Sequence, residues 1–325
     1  MDRVEVIVCA SPLHEERKIT RLKRDLLSEI GTAGGFTVQE VAAPSGEGLI
    51  AVLVLTGGVE REVLKLVSQL PSPTFLIAHP GHNSLAACLE ILARIRRDGG
   101  EGRILFGSPQ AIAADLGREL KVVSSWEDLR FSRIGLIGEP SDWLVASDVD
   151  RAFLKGRLGI ELVEIGIDEL IKRIGSAEPS RKEISRFSNG AQAVAEPSKE
   201  ELKGAVAIYT ALRAMIEEHR LAACTLRCFD LVERVQNTGC YALSRLNDEK
   251  IPAGCEGDLQ ALFSLYLGSL LARKAAFMGN IVSVDTSTRQ VIVAHCTCPL
   301  SLATSYAIRS HFESGIGVSI AAEVP

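Results

Sequence analysis

The sequence predicts an α/β protein that is built on parallel sheets with helices on both faces and that ends in a short β-rich region. Two observations carry this prediction. Short apolar runs alternate with helix-patterned segments from the start of the chain, which is typical of βαβ units. From "RQVIVAHCTCP" onward the pattern is closer to paired strands. The length of 325 residues exceeds one ordinary core and favours two or three domains.

The first part of the chain supplies five predicted strands and three predicted helices. The strand segments are "VEVIVCA", "TVQEVAA", "LIAVLVLTGG", "TFLIAHP" and "RILFGS". Apolar residues recur with helical spacing in "HEERKITRLKRDLLSEIG", "EREVLKLVSQL" and "SLAACLEILARIRRDG". Strands and helices that alternate in this way indicate a parallel sheet, since a parallel connection needs a crossover helix.

A second α/β unit begins at residues 132–147, and "GIELVEIGIDELIKRIG" supplies its next strand and helix. Residues 176–200 are polar and contain two prolines, so we expect an excursion or lid there. A capping box, Ser198 with Glu201, then opens a helix. "CTLRCFDL", "YALSRLN" and "AAFMGNIVSVD" are predicted as strands. The final segment, "GIGVSIAAEVP", alternates like a strand with no later partner, which suggests a native chain that continues beyond Pro325.

Composition argues against several classes of partner. The formal net charge is −5 and no Lys/Arg block stands out, which is not typical of proteins that bind nucleic acid or an anionic membrane. No segment supplies the ~20 apolar residues of a membrane helix, and the N terminus is typical of a strand rather than a signal peptide. We therefore expect a cytoplasmic protein. Motifs of serine hydrolases, P-loop proteins, zincins and EF-hands are absent from the sequence.

The stretch "GCEGDLQALF" places two acids before an apolar helix. Asp258 directly precedes Leu259 and is predicted as the N-cap of that helix. Glu256 lies before the cap, in a loop at the carboxyl edge of a parallel strand, where open α/β sheets bind ligands. Glu256 is therefore a candidate functional residue, with a solvent-exposed glutamate as the alternative.

Two other loops carry groups suited to a polyol. Asn83 and Ser84 begin a helix after a predicted strand, where either side chain would also serve as a cap. Trp143 lies beside acids in "GEPSDWLVAS", a combination common where a sugar stacks on an indole. We take all three as candidate substrate contacts.

Cysteines and histidines crowd the C-terminal part of the chain. His295 ends an apolar run and is followed by Cys296, Cys298 and, 16 residues later, His311. A buried, hydrogen-bonded histidine is the simplest interpretation of His295. The spacing is compatible with zinc but lacks four ligands in a recognisable pattern. A redox or soft-metal role for Cys255, Cys296 and Cys298 is a further alternative.

With these segments in view, the sequence resembles the L-fucose isomerase/L-arabinose isomerase group of ketol isomerases. The resemblance rests on "NSLAACLE", "GEPSDWL", "GCEGDLQALFSLYLGSLLARKAAFMGNIVSVD", "AHCTCPLSLA" and "SHFESGIG", and about two thirds of the chain can be followed. It implies two Rossmann-like domains, expected at 1–130 and 131–280, and a short β-rich domain at 281–325. It also implies a carbohydrate substrate, a divalent cation, usually Mn²⁺, and a homo-oligomer with a cleft near subunit contacts.

The resemblance assigns roles to particular residues. The metal-binding glutamate of the family falls on Glu256, which would also be the acid/base for proton transfer between C1 and C2 through a metal-stabilised enediolate. The second acid of the family falls on Asn280, and family histidines fall on His295, as a metal ligand, and on His311, as a substrate contact.

Asn280 can coordinate through its amide oxygen but cannot exchange a proton at ordinary pH. An alternative is therefore a sugar-binding or regulatory protein that keeps the isomerase scaffold. Asp285 and Asp230 are possible substitutes for the missing acid.

Overall fold

The chain folds into two units, Met1–Glu127 and Asp128–Pro325, each built around its own parallel sheet. The computed structural model describes residues 3–46, 48–147 and 149–324. The expected division into domains at residues 130 and 280 stays a prediction. In the described part of the chain, no helix is both long enough and apolar enough to cross a membrane.

The first unit contains a five-stranded parallel sheet with the strand order β2-β1-β3-β4-β5. Its strands are β1 (Arg3–Cys9), β2 (Thr37–Glu40), β3 (Leu49–Val54), β4 (Thr74–Ala78) and β5 (Gly102–Phe106). Its helices are α1 (Glu16–Gly34), α2 (Glu60–Val67), α3 (Ser84–Arg97) and α4 (Pro109–Leu129). Every residue of β3 and β4 is buried, because helices cover both faces of the sheet.

The second unit contains a four-stranded parallel sheet with the order β7-β6-β8-β9. Its strands are β6 (Arg133–Ile137), β7 (Glu161–Ile165), β8 (Ala223–Leu226) and β9 (Ala253–Cys255). Its helices are α5 (Arg151–Phe153), which continues as a π-helical turn at Leu154–Leu158, α6 (Ile167–Ser176), α7 (Arg181–Gly190), α8 (Lys199–His219), α9 (Phe229–Val235), α10 (Cys240–Asp248) and α11 (Leu259–Ala272).

Two antiparallel hairpins complete the second unit. The first pairs β10 (Asn280–Asp285) with β11 (Gln290–Ala294), and its register shifts between Ile281 and Ser283. The second pairs β12 (Tyr306–Arg309) with β13 (Ser319–Ala322), and a 3₁₀ turn at Leu300–Leu302 lies between the hairpins. The predicted fold class is confirmed: parallel α/β sheets are followed by a small antiparallel β-rich region.

Four local predictions are corrected or completed. "YALSRLN" was predicted as a strand but lies in α10, because a short buried apolar run does not distinguish a strand from a helix. The polar segment 176–200 contains α7, whose N-cap Ser180 accepts a bond from Glu183 N. The capping box at the start of α8 is confirmed. The final strand, β13, has its partner in β12.

Candidate functional site

Glu256 lies at the carboxyl edge of the second sheet, directly after β9. Its backbone is left-handed, with φ of 64°, which is uncommon for a residue other than glycine and marks a constrained position. Two backbone bonds hold this loop: Ser141 N donates to Glu256 O at 2.8 Å, and Gly257 N donates to Leu226 O at 3.1 Å. The loop after β6 and the end of β8 therefore fix the direction of the Glu256 side chain.

Gly257 lets the two loops approach each other. Its φ is 69°, and a Cβ atom there would lie 2.5 Å from Glu139 O and 2.8 Å from the Cα atom of Pro140. Both atoms belong to the backbone and cannot rotate away, so a side chain would push the loops apart. Asp258 then begins α11 as predicted, because its Oδ1 accepts a bond from Ala261 N at 2.8 Å.

The two carboxylate oxygens of Glu256 have different surroundings. Oε2 accepts a hydrogen bond from Trp143 Nε1 at 2.8 Å, and Oε1 lies 4.0 Å from His295 Nε2. The Glu256 side chain retains 18% exposure, whereas the His295 side chain retains 3%. Trp143 packs edge-on against Phe229, with ring centroids 5.1 Å apart. One carboxylate oxygen is thus held by the indole while the other is directed towards the imidazole.

A cavity of about 220 Å³ brings together four of the residues predicted from the sequence: Glu256, Asn280, His295 and His311. The β10–β11 register explains part of this, because Asn280 pairs with Ala294, the residue directly before His295. The other lining residues are Phe229, Cys255, Val282, Ala294, Cys296, Phe312 and Glu313.

The separation of Glu256 and His295 suits one hard cation between them. Two ligand atoms at ~2.1 Å from a metal ion can lie up to ~4.2 Å apart, and Glu256 Oε1 and His295 Nε2 are 4.0 Å apart. Carboxylate, amide oxygen and imidazole are the donors that Mn²⁺ accepts. Glu256 and His295 are therefore a pair that could hold such an ion, and Asn280, which lines the same cavity, carries an amide oxygen of a suitable kind.

Two neighbouring groups, Cys296 and Glu256, favour the charged form of His295. Burial opposes protonation of its ring, but the Cys296 sulfur, 3.5 Å from Nδ1, and the charge of Glu256 outweigh burial, so the pKa of His295 is raised. Nδ1 also lies 3.4 Å from Thr297 N. The ring is thereby oriented with Nε2 towards Glu256.

Sulfur atoms line the inner wall of the same cavity. The pKa of Cys296 is lowered, because Cys240 and Cys255 act as donors to its sulfur and the imidazoles of His295 and His311 add to this against the effect of burial. The pKa values of Cys240 and Cys255 are raised well above their ordinary value, chiefly by their bonds to neighbouring thiols. The first thiolate of the group is therefore stabilised at Cys296.

Asn83 and Ser84 belong to the first unit. Asn83 precedes α3 with φ of 57°, and its side chain makes no capping bond. Ser84 is fully buried, and its hydroxyl donates to Val54 O and accepts a bond from His79 N at 3.1 Å. These contacts serve the local fold, and the role of both residues in substrate binding stays a prediction.

Sequence reasoning missed Phe229 and Arg227, which lie at the carboxyl end of β8. Phe229 contacts the rings of both Trp143 and His311, with centroids 5.1 and 5.8 Å apart. Arg227 lines a second, larger cleft of about 750 Å³ and donates to Asp142, Asp230 and Pro140 O. Their position after a parallel strand was the signal that could have identified them.

Comparison with known proteins gives distant, partial similarity. No family model matches the chain. The chain is 24% identical over 198 residues to a sulfoquinovose isomerase from Alkalicoccus urumqiensis, 23% over 205 residues to one from Priestia megaterium, and 25% over 206 residues to one from a Clostridium species. The matched segments cover 59–61% of this chain.

More than half of the length of each relative has no aligned counterpart in this chain. The aligned parts amount to 44–46% of the relatives, so the chain spans less than half the length of the curated proteins that it matches. The relatives do not single out the fucose and arabinose isomerases. The similarity is to sugar isomerases.

Proposed function

We propose that this chain carries the catalytic glutamate of a metal-dependent aldose–ketose isomerase, which moves a proton between C1 and C2 of an open-chain sugar. The observation that carries the proposal is the position of Glu256. Its carboxylate is fixed by Trp143 at a cavity that Asn280, His295 and His311 also line. The similarity to sulfoquinovose isomerases supports the same reaction class.

Glu256 Oε1 is the proposed acid/base atom. Oε2 is engaged by the indole, so Oε1 serves both roles: one of its lone pairs would bind the cation, and the other accepts the C2 proton and returns it at C1. Before a cation binds, a protonated His295 with Nε2 4.0 Å from Oε1 stabilises the ionised carboxylate, and the neutral imidazole is the form that would bind the cation. Because the Glu256 carboxylate both removes and returns the proton, this proposed transfer between C1 and C2 does not need a second carboxylate at the position of Asn280.

Glu256, Asn280 and His295 are the proposed ligands of a divalent cation of the Mn²⁺ class. When bound, such an ion would hold the two sugar oxygens and spread the negative charge of the enediolate. Asn280 contributes its amide oxygen as a neutral donor. Because that amide replaces a carboxylate, we expect weaker retention of the ion than a site with two carboxylates would give.

Trp143 is the best-supported substrate contact. Its ring is 53% exposed while its Nε1–H is engaged by Glu256, so a ring face remains available for stacking on a sugar. His311 also lines the cavity, but it is buried and its ring lies within 4.8 Å of two sulfurs, which weakens its support as a sugar contact. A sulfonated aldose of the kind named for the relatives is the first substrate to test.

The test is solvent-proton exchange. The full chain, supplied with Mn²⁺, is incubated with sulfoquinovose and a panel of aldoses in D₂O, and ketose formation, deuterium at C1 of the ketose and deuterium at C2 of the recovered aldose are followed by NMR. We expect conversion of at least one sugar, and a loss of ~10²–10⁴-fold for Glu256→Gln, as general acid–base groups contribute. The matched control is Glu233→Gln at an exposed glutamate of α9. Absence of both ketose formation and deuterium exchange with every sugar would overturn the proposal.

A sugar-binding or regulatory protein is the second candidate, and Asn280 is the observation that favours it. An amide at this wall of the cavity cannot transfer a proton. This candidate requires binding of a sugar, measured by calorimetry, without deuterium exchange and without dependence on Mn²⁺.

We also propose that the protein is a homo-oligomer. Six aliphatic residues of the β10–β11 hairpin are 44–69% exposed: Ile281, Val282, Val284, Val291, Ile292 and Val293. An exposed apolar surface of this kind is typical of an interaction site, and an isolated hairpin is only marginally stable in water. Val282 lines the cavity as well, so an interface on the hairpin would adjoin the proposed active site.

A further inference from the structure

Behind the proposed acid/base site, four sulfurs and two imidazoles form one buried group, which we call the cysteine cluster: Cys228, Cys240, Cys255, Cys296, His295 and His311. The sulfurs of Cys228 and Cys255 lie 2.7 Å apart. All four thiols are free of disulfides. In the described part of the chain, two groups hold three metal-ligating atoms within 4.8 Å of one another, and Cys296 belongs to both.

The first group consists of Cys240, Cys296 and His311, and all three residues are buried. The second consists of Cys255, His295 and Cys296. The second shares His295 with the proposed Mn²⁺ site, where Nε2 is directed towards Glu256. The first shares no residue with Glu256, Asn280 and His295, and can therefore be occupied independently.

Hydrogen bonds hold the first group in place. Thr297 Oγ1 donates to Cys240 O at 2.7 Å, and this bond fixes the segment that carries Cys296 against the start of α10. Ser244 Oγ donates to Cys298 O one turn further along the same helix. His311 Nδ1 lies 3.2 Å from Ser314 Oγ and 3.4 Å from Ser314 N, and Nε2 is available to a cation in the tautomer in which Nδ1–H donates to Ser314 Oγ. A second partner of this kind is typical of metal-binding histidines.

We propose that Cys240, Cys296 and His311 bind a soft divalent cation, Zn²⁺, at a site separate from Glu256. Two thiolates and one imidazole are donors that select zinc over Mn²⁺. Three protein ligands would leave one position of the ion for water or another ligand, and two of them, Cys296 and His311, line the cavity. His311 is then a cation ligand, which replaces the direct sugar contact expected from the sequence. This inference goes beyond the proposed isomerase activity and does not depend on it.

The test uses the metal alone as its probe. The full chain is purified under reducing, anaerobic conditions, stripped with a chelator and titrated with Co²⁺, whose charge-transfer absorption reports thiolate ligands directly. We expect one equivalent of Co²⁺ to give this band, Zn²⁺ to displace it and Mn²⁺ to leave it unchanged. Absence of the band, or displacement by Mn²⁺, would overturn the proposal.

Variants locate the site. Cys240→Ser and Cys296→Ser should weaken Zn²⁺ affinity by more than the ~10–100-fold that loss of an outer-shell partner costs. The matched control is Cys298→Ser, a buried cysteine of the same segment whose sulfur contacts Pro299 O and belongs to neither group. It should keep the band, and so should Glu256→Gln. Loss of the band in Glu256→Gln, or its survival in Cys296→Ser, would contradict a separate site.

Folding is monitored in the same samples. Because a ligand that binds only the folded state raises its stability, Zn²⁺ should raise the Tm of the wild-type chain and of Cys298→Ser but not of Cys240→Ser. His311→Ala removes the imidazole without altering a thiol and should lose the Zn²⁺-dependent rise as well. An equal rise in all variants would overturn the assignment.

Discussion

Trp143 Nε1 donates a hydrogen bond to Glu256 Oε2 at 2.8 Å, and so the loop after β6 determines which oxygen of the carboxylate faces the cavity. We predict that Trp143→Phe keeps the packing on Phe229 but loses this bond. A hydrogen bond to a charged group is worth ~1.5–3 kcal/mol, so kcat/KM for the substrate identified by deuterium exchange should fall roughly 10- to 100-fold. Steady-state kinetics of the purified variant give the measurement.

The control for this prediction is Trp126→Phe, because the chain contains two tryptophans and Trp126 lies in the first unit. It should leave kcat/KM within the error of the wild type. If Trp143→Phe has the same kcat/KM as the wild type, the indole does not orient Glu256 for catalysis.

Gly257→Ala should distort the loop that carries Glu256. A Cβ atom would lie 2.5 Å from Glu139 O, and the φ of 69° adds strain. Gly315→Ala is the matched control, since its φ is 66° but nothing lies within 4 Å of the added atom. Overpacking costs ~1–3 kcal/mol, so Gly257→Ala should lower the free energy of unfolding by about that much more than Gly315→Ala. Urea denaturation measures both, and equal losses would exclude the close approach as the cause.

The parallel sheets could be predicted from the sequence because their central strands are buried on both faces and helices lie between successive strands. The same signal failed at Cys240–Asp248. Seven residues of this helix are buried, so it shows no polar face from which a 3.6-residue period could be read. The elements α8, β9 and the second hairpin pack around this segment. Because such tertiary contacts cannot be read from the local sequence, the segment was wrongly predicted as a strand.

The candidate site was predicted in part. Glu256 was identified from its place before a cap, and Asn280, His295 and His311 from family resemblance, and one cavity is lined by all four. The part played by Cys240 could not be predicted, because its proximity to Cys296 depends on how α10 packs, and the contact of Phe229 with Trp143 depends in the same way on α9. No local pattern encodes contacts between segments that are more than 50 residues apart.

The ion pair of Glu183 should make stability depend on pH. Tyr241 Oη and Arg245 Nε each donate to Glu183 Oε1 at 2.8 Å. Burial opposes ionisation, but these two donors outweigh it, so the pKa of Glu183 is lowered in the folded state. The ionised form therefore contributes stability that is fully present above the unfolded pKa of ~4.3 and is lost as pH falls through the folded value.

Glu183→Gln should lower the free energy of unfolding by ~1–3 kcal/mol at pH 7. The difference from the wild type should shrink as pH falls below ~4.3, because the wild-type carboxyl becomes protonated there. Urea denaturation at a series of pH values gives the measurement, with Glu233→Gln at an exposed position as the control. A difference that stays constant from pH 7 to pH 3 would show that the charge of Glu183 is not its source.

The β10–β11 hairpin should govern assembly if the protein is an oligomer. Ile281 and Ile292 are 69% and 59% exposed, and burying an aliphatic side chain of this size contributes ~1.5–3 kcal/mol. The double variant Ile281→Lys/Ile292→Lys should shift the protein to smaller species at concentrations where the wild type is assembled, because a lysine ammonium is costly to bury in an apolar interface. Sedimentation velocity over a range of concentrations measures the shift. Thr286→Lys adds one lysine charge in the exposed turn between the strands and should leave the assembly unchanged. A wild-type chain that stays monomeric throughout, or a double variant that assembles as the wild type does, would contradict an interface on this hairpin.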